Sequence, residues 1–297
     1  MKAYLIYALF LLPALFVLNS CEIIDPAEPV PAYLYVEPFE FTTVGDQGSN
    51  SSKITEGWVY VAGDFLGAYT LPALLPVLQT GEQQVEIFPG IKDNGISATP
   101  DIYTLYKRYT TTIDLGANEV DTVYPSTRYE DNVFFRIIES FESDQHFFQG
   151  EIDGNELTQI VSSDVEVFEG TGSGQISLDK ENPLATMGSF IFDELPPAGA
   201  TVYIEMDYKN DVPLLVGVYG YDRFGVELVR FVDRGVNPRD DWNKIYFNLR
   251  DPFFTMRNAG VERYQVVLVT SIPIENGDFS MDNAEVYIDN VKLVYLQ

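Results

Sequence analysis

The chain holds a single cysteine, a single histidine and two tryptophans in 297 residues. One thiol cannot form an intrachain disulfide, so the folded part must be held by core burial. One histidine, His146, removes His-rich metal sites and most Ser-His and Cys-His systems. Its setting, Asp144-Gln145-His146-Phe147, reads as a loop or surface position. Positive charge is also scarce: 18 Lys+Arg face 45 Asp+Glu, for a formal net charge of −27. Such a surface repels phosphate, which excludes a nucleic-acid partner. No apolar run reaches the roughly 20 residues that a spanning helix needs; the longest covers residues 3–17. Helical periodicity is nearly absent, and residues 251–258 alone read as a helical turn. The adjacent acids Asp240 and Asp241 would point to opposite faces of a strand, which argues against two-carboxylate hydrolysis. The residues therefore favour a non-catalytic protein.

What is present begins with Lys2, the apolar run of residues 3–17 and then Leu18-Asn19-Ser20-Cys21. The run has the length of a secretory h-region. Its ending resembles the bacterial lipobox, an aliphatic residue and a small one ahead of Cys. That resemblance implies removal of residues 1–20 and acylation of Cys21, a palmitate-type anchor in outer-membrane lipid. Each buried CH₂ of an acyl chain contributes about 0.8 kcal/mol. Glu22, Asp25 and Glu28 with Pro26, Pro29 and Pro31 then read as an extended tether over residues 21–32. Acids directly behind the acylated Cys resemble the surface-export signal of Bacteroidota lipoproteins, which implies the outer membrane and its extracellular face.

Beyond the tether the period is mostly two. PAYLYVEPFEF, GWVYVAG, QQVEIFPG and YTTTIDLG are short β-rich runs punctuated by Gly and Pro, and the later TVYIEMDYKND, PLLVGVYGYD, WNKIYFNL, YQVVLVTSI and AEVYIDNVKLVY alternate in the same way. Many short strands with such punctuation predict an all-β chain of sandwiches or barrels. Asn94-Gly95 is a turn signal, and another turn is expected at Gly63-Asp64, with Leu71 and Leu78 in the core. The polar PSTRYED marks a boundary, giving an N-terminal sandwich over residues 33–131 and a C-terminal one over 132–297. EGTGSGQISLD is not a phosphate loop, because it lacks the Lys-Ser/Thr ending and a following helix.

Val59-x-Val61-x-Gly63, Gly67, Leu71, Gly81 and Val85-x-Ile87 resemble the PEGA and carboxypeptidase-regulatory type of transthyretin-like sandwich. Phe141-Glu142, Gly172-x-Gly174-x-Ile176-x-Leu178, Trp242-Asn243-Lys244-Ile245 and Tyr287-Ile288-Asp289-Asn290-Val291-x-Leu293 resemble the jelly rolls of carbohydrate-binding modules. The whole resembles a Bacteroidota family of two-domain surface lipoproteins. The jelly-roll resemblance implies a structural calcium at Glu142 and Asp289, against the alternative of plain solvent-facing acids. Glycan platforms would be Tyr219, Tyr221 and Trp242, against core or strand-face aromatics, with core packing the one that the resemblance implies for Trp242. Asp121-Thr122-Val123 resembles the Bacteroidota O-glycosylation acceptor, against a plain strand edge. Two functions stay open. One is a scaffold subunit lying against an outer-membrane barrel for assembly, export or uptake; the other is a glycan-binding surface lipoprotein.

Overall fold

The computed structural model describes residues 28–148 and 150–297. The leader, Cys21 and the first part of the tether lie outside the described residues. The period-two runs form strands, and the one α-helix among the described residues spans Arg250–Asn258.

In the N-terminal half, strand Ala32–Val36 alternates buried Ala32, Leu34 and Val36 with partly exposed tyrosines. It pairs antiparallel with Ala73–Val77 and parallel with Val120–Val123. A second sheet is built around the long strand Gly81–Lys92, which carries Glu56–Val61 on one side and Pro100–Ile102 and Tyr109–Leu115 on the other. Val59, Val61, Leu75, Val77, Val85 and Ile87 fill the space between the two sheets. Two expectations are corrected here. The first hairpin turns at Ala62-Gly63, not Gly63-Asp64. Both residues have positive φ (51° and 85°), as a two-residue turn matching the strand twist requires. Leu78 is 63% exposed, because the register of Ala73–Val77 sends Leu75 and Val77 inward and leaves Leu78 past the strand end; Leu71 does pack against the core.

The C-terminal half is sandwich-like. Its first sheet orders Val161–Ser163, Ser173–Asp179, Asn283–Leu296, Val202–Asn210 and Arg239–Asn248, with Val133–Glu139 also pairing to the last strand of the chain. Its second sheet orders Gly150–Glu151, Leu184–Gly188, Arg263–Ser271, Leu214–Tyr221 and Glu227–Val236. Ile204, Met206, Val216, Val218, Phe247, Val266, Leu268 and Ile288 are among the side chains that meet between them. The predicted helical turn is a nine-residue helix that closes one end of this core with Phe253 and Met256.

The two halves meet on the outer face of the first C-terminal sheet. Tyr203, Glu205 and Asp207 alternate with core-facing Ile204, Met206 and Tyr208, yet all six are buried. Tyr103, Leu105, Tyr106 and Tyr129 of the N-terminal half cover that face in one apolar cluster with Tyr203, Tyr246 and Val294. The register sets Glu205 between Lys292 and Tyr246, and Asp207 between Lys244 and Asp289. Buried Glu205 accepts the Tyr103 hydroxyl at 2.5 Å and the Tyr129 hydroxyl at 2.7 Å. Lys292 donates to the Ser49 carbonyl at 2.7 Å. Asp207 accepts from Ser51 at 2.8 Å and pairs with Lys244 at 3.4 Å. Buried charges survive only when paired and hydrogen-bonded, and here each is supplied by groups from both halves or from neighbouring strands. The halves are thereby fixed to one another.

Candidate functional site

The N-terminal half covers part of the outer face of the first C-terminal sheet, around Tyr203, Tyr246 and Val294, and does not cover the outer face of the second. Its residues are set by period two. Val216, Val218, Val266 and Leu268 point into the core, so Leu215, Gly217, Tyr219 and Tyr221 point out, facing Val269, Val267, Gln265 and Arg263 across the strand pair. The Tyr221 hydroxyl donates to Gln265 Oε1 at 2.8 Å, and Gln265 Nε2 donates to the Ser189 carbonyl at 2.6 Å. On the other flank, the Arg230 guanidinium lies 4.4 Å from the centre of the Tyr219 ring. It makes a fork to Glu227, with Nε and NH2 donating at 3.0 and 2.8 Å. Burial raises both phenol pKa values, Glu227 raises that of Tyr221 further, and Arg230 opposes the rise at both.

Two of the three aromatic candidates therefore come together. Tyr219 is only 3% exposed because Arg230 covers it, so the open aromatic surface belongs to Tyr221, which is half-buried. Its polar neighbours Gln265, Arg230 and Glu227 escape sequence reasoning, because only the register between 214–221, 227–236 and 263–271 reveals them. The face offers planar side chains, amide and guanidinium donors and a carboxylate acceptor. These suit hydrogen bonding to hydroxyl-rich ligands, and no nucleophile stands beside a base there.

Trp242 is not joined to this pair. It lies on strand Arg239–Asn248 of the opposite sheet, half-buried against Phe168 with ring centres 5.6 Å apart, its indole N–H donating to Glu166 at 3.0 Å. The expectation of core packing is corrected: Trp242 shares the outer strand face with Lys244 and Tyr246, whereas Ile245 and Phe247 face the main core cluster. Of the loop or surface position expected for His146, the loop is found and the surface is not. The residue is buried, with Nε2 3.2 Å from the Ile160 carbonyl and the ring against Phe141. Thr122 is exposed on the edge strand Val120–Val123, where an acceptor hydroxyl would be accessible.

Glu142 and Asp289 face one loop, Glu169 to Thr171. The Thr171 hydroxyl and N–H donate to Glu142, holding its carboxyl below the usual range. Gly170 has φ +78°, and a Cβ there would sit 1.9 Å from Glu142 Oε1, so the loop requires glycine. Asp289 accepts the N–H groups of Glu169 and Asn290 at 3.1 and 2.7 Å. The groups these carboxylates meet are thus N–H and hydroxyl donors, and among the described residues no third His, Cys, Asp or Glu joins them in a metal-holding group. Calcium takes six to eight oxygens, of which Glu142 and Asp289 would supply the carboxylates of two residues.

Burial pushes the Asp289 carboxyl up to about 7. A raised folded-state pKa means the native state binds more protons than the unfolded chain between about pH 4 and 7, so stability falls as pH rises across that window. Asp289→Asn is expected to remove this component. With EDTA present, the wild-type and variant melting curves should diverge within pH 4–7 and run parallel above it; parallel curves throughout would refute the assignment.

No protein-family model matches the chain, and no curated protein matches it. Solved structures do resemble it. A carbohydrate-binding module of the β-sandwich superfamily has a TM-score of 0.40 and 13% identity, with 92% of this chain and 100% of that one covered. The C-terminal family 22 carbohydrate-binding module of Clostridium thermocellum xylanase 10B has a TM-score of 0.37 and 13% identity, with 56% and 94% covered. The enzymatically active domain of bacteriophage CBA120 tailspike protein 4 has a TM-score of 0.35 and 12% identity; 55% of this chain matches 19% of that chain. At such low identity and TM-score these likenesses decide nothing about a ligand.

Proposed function

We propose that this chain is a non-catalytic glycan-binding protein, with the outer face of strands 214–221, 227–236 and 263–271 as its binding surface. The observation that carries the reading is the joining of Tyr221, Gln265, Arg230 and Glu227 on the sheet that the N-terminal half leaves open. A sugar ring places C–H groups against an aromatic face and hydroxyls against planar donors and acceptors, and this face supplies both. The N-terminal half, fixed to the opposite sheet, acts as a rigid spacer. The acylated Cys21 of the sequence reading would confine the surface to the outside of the outer membrane. Intact-mass analysis is expected to find residues 1–20 removed and Cys21 acylated; an unmodified Cys21 would remove the anchor. Confinement raises effective concentration, so weak single contacts suffice for retention. The primary test is affinity electrophoresis in gels containing defined neutral polysaccharides. The expected result is retardation by at least one; unchanged mobility in all of them counts against the proposal.

A second reading, a scaffold held against a membrane-embedded barrel, is favoured by one observation. The hairpin joining strands 214–221 and 227–236 exposes Phe224 and Val226, at 77% and 58%, with Leu228 beside them. Exposed apolar clusters mark contact surfaces. Stoichiometric recovery of a barrel protein in mild detergent, lost in Phe224→Ser, supports this reading.

A further inference from the structure

One cleft reverses the charge balance of the molecule. It lies between the two halves, with a volume of about 440 Å³, within the range of small-ligand sites. Lys53, Lys92, Arg239 and Lys244 line it, and no Asp or Glu does. Four cations of the chain's 18 thus converge on one concavity of a protein with 45 acids.

The nearby acids are engaged elsewhere. Lys244 is buried and paired with Asp207. Asp93, next in sequence to Lys92, accepts from Tyr203 at 3.0 Å and Asn248 at 3.3 Å. Asp240 and Asp241 follow Arg239 but are exposed and do not line the cleft. Among the described residues, Lys53, Lys92 and Arg239 make no ion pair with a carboxylate. The Lys53 ammonium has its pKa lowered by burial, then by the charges of Arg239 and Lys92, so the three cations feel one another. Like charges gathered without a counter-charge destabilise the fold unless a ligand supplies it.

The cleft is also built. The turn Asp93–Gly95 docks on strand Arg239–Asn248: the Asn248 N–H donates to Asn94 Oδ1 at 2.9 Å, and a Cβ on Gly95 would come within 2.8 Å of Ile245. Lys53 donates to Asn243, which in turn donates to the Tyr208 hydroxyl. Amide groups of Asn94, Asn237 and Asn243 thus stand among the cations. We propose that this cleft binds a small oxyanion-bearing ligand (a carboxylate, sulfate or phosphate group, free or carried on a sugar) with Lys53, Lys92 and Arg239 as its charge partners. The site draws on both halves, so its occupant would also bridge them. The proposal is independent of the glycan face: the cleft meets strand 227–236 only at Gly235 and Val236, the end opposite to Glu227 and Tyr221.

The test is calorimetric titration of the full chain with sulfate, inorganic phosphate and glucuronate, with glucose as the neutral control, at constant ionic strength. At least one anion should bind saturably and glucose should not. Arg239 is exposed and Lys92 half-buried, and replacing either relieves the repulsion among the cations, so Arg239→Gln and Lys92→Gln should melt at or above the wild-type temperature. Together they should weaken binding at least tenfold. Glucuronate binding tighter than the inorganic anions assigns a sugar-borne group, and the reverse order assigns a free one. Absence of saturable binding for all three anions, or unchanged affinity in the folded double variant, would overturn the proposal.

Discussion

Replacing Glu205 by leucine should lower the melting temperature by roughly 6–20 °C, from a loss of about 3–5 kcal/mol. The carboxylate is fully buried between the two halves and accepts both the Tyr103 and Tyr129 hydroxyls. Its removal strands two buried phenols and takes the nearest cross-strand counter-charge from Lys292. Lys292 is itself buried, and burial already lowers its pKa to about 8. An unpaired buried charge is the costly outcome, whereas removing both charges is far cheaper. Glu205→Leu combined with Lys292→Met should therefore recover much of the loss, a coupling that a double-mutant cycle reads directly. A decrease below about 3 °C in the single variant would mean that the halves are not held through this network.

The second large effect concerns the open sheet. Tyr221→Ala with Gln265→Ala is expected to weaken polysaccharide binding at least ~30-fold, about 2 kcal/mol, the scale of an interface hot spot. Tyr221 supplies the accessible aromatic surface, and Gln265 holds its hydroxyl at 2.8 Å. Both side chains project away from the core, so the melting temperature should hardly change. Trp242→Ala, on the opposite sheet beside Phe168, should leave binding intact. If Trp242→Ala abolishes binding while the double variant does not, the surface has been assigned to the wrong sheet.

Much of the fold is legible in the chain. Alternation in AYLYV, VYIEMDYKN and RYQVVLVTS marks strands, Asn94-Gly95 marks the turn that docks the halves together, and residues 251–258 form most of the helix. The interface is not legible, for a physical reason. In VYIEMDYKN the polar residues Glu205 and Asp207 read as a solvent face, yet Tyr103 and Tyr106, which follow the short strand Pro100–Ile102, cover it. Period two distinguishes two faces but does not say what lies against the polar one. Tyr219 and Tyr221 were legible as aromatics two apart. Their partners Arg230 and Gln265 belong to strands whose register is set by long-range pairing. Clustered cations are equally invisible when they come from Lys53, Lys92 and Arg239, far apart in sequence.

The most direct test of the central claim is hydrogen exchange of the full chain with and without a retained polysaccharide. Protection is expected to concentrate on strands 214–221, 227–236 and 263–271, with the interface strand 202–210 unchanged. Protection confined to the other sheet, or absence of any polysaccharide footprint together with stoichiometric recovery of a barrel partner, would contradict the glycan-binding account.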